Sequence, residues 1–146
     1  MKLLAKNRRA TFDYDITERL VAGISLSGDE VKSIKAGAAS LKGAFIAIRS
    51  GEAYLTNAHV TPYLHAAHKE SLDPIRNRKL LLHRKQLEEL IVHKQSGLSV
   101  VPTALLQERR LVKLEIGIGR GKKRYDKREV IKRRDTDREV ARQLKR

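Results

Sequence analysis

Apolar and polar positions alternate along much of this chain with the period of a strand. From Thr11 to Ile16, Phe12, Tyr14 and Ile16 fall on one side and Asp13 and Asp15 on the other, which predicts a strand. Phe45 to Arg49 and Glu52 to Leu55 are two further strand-like runs, separated by Ser50-Gly51 as a two-residue hairpin turn. Leu98 to Leu105 and Leu111 to Ile118 form another such pair. The helical period is clear once, from about His83 to Gln95. There Leu87, Leu90 and Ile91 share a face and Gly97 stands just beyond as a stop. The stretch from Thr17 to Ala36 is ambiguous: Thr17 can cap a short helix reaching Ala22, and Asp29 to Lys35 suits helix or strand. Short strands with one or two helices predict a mostly β fold with flanking α-helices. A small closed antiparallel β-barrel of the oligonucleotide-binding type is preferred over other α+β folds.

Composition adds a boundary. Residues 1 to 119 carry 19 basic and 12 acidic side chains, a net of +7, with the apolar content of a folded domain. Residues 120 to 146 carry 13 basic and 5 acidic, so +8 sits on a short segment whose apolar residues are few (Val130, Ile131, Val140, Ala141 and Leu144). That balance predicts a basic C-terminal tail that is disordered when free and orders only on a partner.

The whole chain has 146 residues and a formal net charge of +15. Self-repulsion of that size is relieved by a polyanion, so nucleic acid or an anionic membrane is the expected partner. The membrane is the weaker choice, since no run approaches the roughly 20 apolar residues of a spanning helix. Leu3, Leu4 and Ala5 are too short a run for a signal-peptide core, so a cytoplasmic address is expected. The absence of cysteine excludes disulfides, thiolate zinc sites and a cysteine nucleophile.

The remaining chemistry points the same way. His59, His65 and His68 lie close in sequence with Glu70 nearby, but Pro62 and Pro74 make the segment loop-like rather than a ligand-bearing helix. Asp13 with Asp15, or Asp29 with Glu30, could hold Mg²⁺ in a nuclease, yet solvated strand charges and helix-start acids explain them. No catalytic group, metal or cofactor is expected. Three basic clusters remain: Arg8-Arg9; Arg76, Arg78 and Lys79; and Arg120 to Arg128 with Lys122 and Lys123. Together they predict a phosphate-binding face. Gly117, Gly119 and Gly121 lead into the last cluster and read as a flexible hinge presenting backbone amides to phosphates. Tyr125 is the tail's only aromatic and can stack on an unpaired base. With only six Phe and Tyr in the chain, recognition by shape and backbone is expected, as for folded RNA.

Read in order, several segments resemble the SsrA-binding protein family (small protein B, SmpB). They are Asn7-Arg8-Arg9-Ala10, Ala22-Gly23-Ile24, Gly28-Asp29-Glu30-Val31-Lys32-Ser33, Gly51-Glu52-Ala53, Asp73-Pro74, Arg76 to Leu82, and Gly121-Lys122-Lys123-Arg124-Tyr125-Asp126-Lys127-Arg128. The likeness spans nearly the whole chain. It implies a barrel that binds the tRNA-like domain of transfer-messenger RNA (tmRNA), supports its charging with alanine and escorts it, with elongation factor Tu, to stalled ribosomes. It also implies a tail that enters the vacant decoding site and message channel as a helix. By position, Asn7 and Leu81 match RNA-binding places of the family, joined on the barrel by Arg8, Arg9, Lys32, Arg76, Arg78 and Lys79. Gly121, Tyr125, Asp126, Lys127 and Arg128 match the decoding-site segment, and Ile131-Lys132 a further tail contact. Val21 departs from the pattern, standing where the family has a glutamate of its RNA-binding set. A monomer bound to RNA is expected, and removal of the chain from Arg120 onward is expected to spare RNA binding while abolishing rescue. The competing readings are a general RNA-binding or ribosomal protein and, behind it, a metal-dependent nuclease.

Overall fold

The computed structural model describes residues 1–63 and 73–122. Nine strands and three helices alternate there: β1 (Lys2–Lys6), α1 (Arg8–Asp13), β2 (Tyr14–Ile24), α2 (Gly28–Lys35), β3 (Ala39–Ser40), β4 (Phe45–Arg49), β5 (Glu52–Thr56), β6 (His59–Val60), β7 (Arg78–Leu81), α3 (Arg84–Gln95), β8 (Ser99–Glu108) and β9 (Leu111–Gly121). Seven strands form one antiparallel sheet in the order β1-β8-β9-β2-β7-β5-β4, and β3 pairs with β6 apart from it.

The mostly β expectation with flanking helices holds, but the closed barrel does not. β1 and β4 end the hydrogen-bonded order, and β4 comes close to β8 without pairing to it. The reason lies in the outer edge of β8. β1 occupies its C-terminal half, and at Pro102 the edge has no N–H to offer. The Pro102 carbonyl accepts from Asn7 Nδ2 at 2.8 Å, and the Thr103 carbonyl accepts from the Asn7 N–H at 2.8 Å. A bulge at Thr103, where β8 shifts register against β9, turns the edge further. Little ladder is left for β4 to join.

The inward faces supply one core, built from Ala22, Ile24, Ile34, Leu41, Ile46, Leu55, Leu80, Leu90, Leu105, Leu114 and Ile116. The hairpin at Ser50-Gly51 forms as expected, with both residues at positive φ (49° and 73°), the backbone a tight two-residue turn requires. α3 also forms as expected, with Leu90 buried, Leu87 and Ile91 half-buried and Gly97 at φ 85° past its end. Two ambiguities resolve in opposite directions. Thr17 to Ala22 is strand, and Asp29 to Lys35 is helix, started by a capping box in which Ser27 and Glu30 satisfy each other's backbone N–H.

The strand expected over Thr11 to Ile16 is corrected in its first half. Asn7 Oδ1 accepts from the Ala10 N–H, so residues through Asp13 form a helical turn and β2 begins at Tyr14. The glycine hinge is corrected as well. Gly117 and Gly119 lie inside β9, paired with β2 and β8. A Cβ on Gly119 would stand 2.0 Å from the Asp15 carbonyl oxygen, and one on Gly117 would stand 2.7 Å from the Thr103 methyl. Gly119 is crossed closely by the β2 backbone and Gly117 is covered by the Thr103 and Ile16 side chains, so neither glycine marks a bend. The ladder continues to Gly121, opposite Tyr14.

Candidate nucleic-acid interface

Strand alternation sorts the basic residues of β7. Its pattern is buried, exposed, buried, exposed, so Arg78 and Leu80 point inward while Lys79 and Leu81 point out. Register then builds the outward face across the sheet. Tyr54 lies opposite Lys79, Leu81 opposite Gly23, Gly23 opposite Lys113, and Val21 opposite Glu115. Arg49 and Arg19 stand on the same face at either side. Leu81 is 57% exposed, with its Cβ 3.0 Å from where a side chain on Gly23 would begin. A bare glycine is therefore what lets Leu81 lie across β2.

Ion pairs on this face lie in solvent and so contribute little to stability. Lys79 Nζ meets Glu52 at 3.0 Å, Lys113 meets Glu108 at 2.8 Å and Arg19 meets Glu115 at 3.5 Å, all with solvent access. The Lys79 and Tyr54 hydrogen bonds hold the Glu52 carboxyl below its usual range. Directly opposite Val21, Glu115 presents a carboxylate, its Oε2 accepting from Thr103 Oγ1 at 2.8 Å.

A second basic group gathers at α1. Asn7 is itself buried, its amide committed to Pro102 and Ala10, so it holds the start of α1 rather than facing solvent. The exposed Arg8 and Arg9 follow it, Arg9 lying 3.5 Å from Asp13. With Lys6 and Lys42 they rim a cleft of about 370 Å³. The first tail residues reach the same helix. The Lys122 N–H donates to the Asp13 carbonyl at 2.8 Å and its Nζ to the Thr11 carbonyl at 3.1 Å, while Gly121 ends β9.

Arg78, expected to face RNA, is corrected to an interior role. It is 1% exposed and donates to Glu30 Oε2 (2.6 Å), the Ala58 carbonyl (2.9 Å), the Arg76 carbonyl and the Pro74 carbonyl. Arg76 is partly exposed but also bonds Glu30 and the Ser25 carbonyl. Burial alone would raise the Glu30 carboxyl. Hydrogen bonds from Arg76, the Ser27 N–H and Arg78 outweigh that and hold it below its ordinary value. Lys32 is exposed on α2, its ammonium 5.3 Å from the Tyr63 ring centre. Lys123, Tyr125, Asp126, Lys127, Arg128, Ile131 and Lys132 lie outside the described residues, as do His65, His68 and Glu70. Among the described residues no three His, Asp or Glu gather as a metal set.

Sequence alone missed Tyr54, Gly23 and Glu115 as members of the outward face. The signal for them is register, which becomes visible only when β5, β7, β2 and β9 are aligned.

Comparison with known proteins agrees over nearly the full length. The family model described as "SmpB protein" matches residues 4–146. The SsrA-binding protein of Synechococcus sp. (strain JA-2-3B'a(2-13)) is 50% identical over 146 residues, covering 99% of this chain and 95% of the relative. That of Latilactobacillus sakei subsp. sakei (strain 23K) is 44% identical over 144 residues, covering 98% and 92%. A solved chain described under "tmRNA-SmpB: a journey to the center of the bacterial ribosome" superimposes with a TM-score of 0.67 at 41% identity, over 86% of this chain and 92% of that one. The chain belongs to the SmpB family of SsrA-binding proteins.

Proposed function

We infer that this protein binds transfer-messenger RNA and acts with it at stalled ribosomes in trans-translation. The observation that carries this is the near-full-length identity to SsrA-binding proteins, together with a tmRNA–SmpB structure of the same fold. The physical features fit. A +15 protein needs a polyanion, and its sheet presents Arg19, Arg49, Lys79 and Lys113 around an exposed Leu81. Such a face holds the tRNA-like domain by phosphate contacts and shape. Arg8 and Arg9 supply further phosphate contacts, and Lys32 and Arg76 steer the same polyanion. Asn7 and Arg78 serve by holding those groups in place.

The basic segment following Lys122 is the ribosome-directed part. In this proposal it orders as a helix in the vacant decoding site and message channel, beginning at Lys123 just past the strand end at Gly121 and followed by Tyr125, Asp126, Lys127, Arg128, Ile131 and Lys132. A polycation that orders only there keeps low affinity elsewhere, because the ordering cost is met only by the correct site. The complex travels as one protein monomer per RNA, with elongation factor Tu on the same RNA, in the cytoplasm.

The test is alanyl transfer to a nascent chain on ribosomes stalled at a message end, with tmRNA and either the full chain or one ending at Lys122. The full chain is expected to support transfer, and the shortened one to bind tmRNA without supporting it. The cut belongs after Lys122 rather than before Arg120, since Arg120 to Lys122 are bonded into β9 and α1. Transfer by the shortened chain would remove the tail from the mechanism.

A further inference from the structure

We propose that Tyr54 is a nucleobase-stacking platform on the outward face of the sheet, with Lys79 beside it as the phosphate partner of the same nucleotide. This rests on the RNA-binding role inferred above and names a contact within it. Tyr54 is half-buried, and its place in the ladder sets what surrounds the ring. Across β4 it faces Ala47, whose methyl group adds no bulk, and across β7 it faces Lys79. The ring is held by its hydroxyl, which donates to Glu52 Oε2 at 2.8 Å, while Glu52 Oε1 takes Lys79 Nζ at 3.0 Å. One carboxylate therefore orients both an aromatic face and a cation, the two groups a stacked nucleotide requires. Phe45, on the same face and opposite Thr56, is a further aromatic left 50% exposed. Burying aromatic surface in the core does not account for either ring. Stacking is sequence-tolerant, so the platform takes an unpaired base of any identity from a folded RNA.

The chain contains no tryptophan, which gives a direct probe. Tyr54→Trp in the full chain places a single indole at the platform. Titrating the tRNA-like domain of transfer-messenger RNA is expected to quench its emission strongly, with the same affinity as the parent protein. Tyr54→Phe keeps the ring and is expected to bind within about twofold of the parent, whereas Tyr54→Ala is expected to lose about tenfold. Saturable binding with unchanged indole emission, or parental affinity in Tyr54→Ala, overturns the platform while leaving the RNA-binding role in place. If the Trp variant does not fold, the Phe and Ala pair decides alone: equal affinities refute stacking. Failure of the parent protein itself to bind this RNA would instead refute the role on which the platform rests.

Discussion

Arg78 on β7 and Glu30 on α2 meet in the interior, Arg78 Nε donating to Glu30 Oε2 at 2.6 Å across 48 residues of sequence. The pair joins the sheet to the helix that packs beneath it, and Arg76 closes on the same carboxylate from the solvent side. Removing Arg78 leaves Glu30 with Arg76 and the Ser27 N–H, but it takes away one buried partner of the carboxylate and the guanidinium donor of the Ala58 and Pro74 carbonyls, which costs more than the pair contributes. Arg78→Met is therefore expected to lose about 3–5 kcal/mol in urea unfolding. The double replacement with Glu30→Gln is expected to lose less than the sum of the two single ones. Additive losses would mean that the two side chains do not depend on each other.

The same carboxylate sets a pH dependence. The folded protein keeps Glu30 ionised at lower pH than the unfolded chain does, so acidification favours the unfolded chain, which binds the extra proton. The stability this group adds is present above the ordinary carboxylate range and is lost as the pH falls through its depressed value. Between about pH 6 and pH 3, Glu30→Gln is expected to show a shallower fall in stability than the parent. Parallel curves would remove Glu30 from the acid transition.

Gly119, buried inside β9, and Gly121, exposed at its end, differ sharply in what lies beside them. A side chain on Gly119 would meet the Asp15 carbonyl, whereas nothing lies within 4 Å of the corresponding position on Gly121. Gly119→Ala is expected to cost about 3 kcal/mol by forcing β2 and β9 apart, and Gly121→Ala to stay within about 0.5 kcal/mol of the parent. Thermal unfolding of the two variants distinguishes them. Equal melting temperatures would contradict the close approach.

What the chain reveals before folding is local. Ser50-Gly51 announces its hairpin because only that pair's own backbone is involved, and α3 shows in the spacing of Leu87, Leu90 and Ile91. The misread features all depend on distant residues. Phe12, Tyr14 and Ile16 alternate like a strand, yet Asn7, fixed against Pro102 across 95 residues, starts a helix there. Gly117 and Gly119 resemble a hinge next to lysines, but their lack of side chains answers Thr103 and Asp15. Arg78 counts as a surface cation by composition, and only the register of β7 turns it inward toward Glu30. Among the candidate site residues, exposed Arg8, Arg9, Lys79 and Leu81 were legible from charge and resemblance. The outward face that Lys79 and Leu81 share with Tyr54, Gly23 and Glu115 was not, because pairing order is a property of the sheet.

Neighbours on β7 divide the work. Lys79 is 48% exposed and belongs to the proposed RNA face, so Lys79→Ala is expected to leave stability unchanged and to lower RNA affinity. The slope of log affinity against log salt is expected to shrink by about 1, the signature of one lost phosphate contact. Binding isotherms at several salt concentrations check this. An unchanged slope would take Lys79 off the interface.

In the proposed role, this face selects one RNA shape rather than any polyanion. The direct measurement is competition: labelled tRNA-like domain of transfer-messenger RNA bound to the full chain at near-physiological salt, then chased with excess bulk tRNA. The complex is expected to survive the chase, since shape and placed contacts discriminate where charge cannot. Ready displacement by bulk tRNA would contradict it and leave the +15 charge as a sufficient explanation of binding.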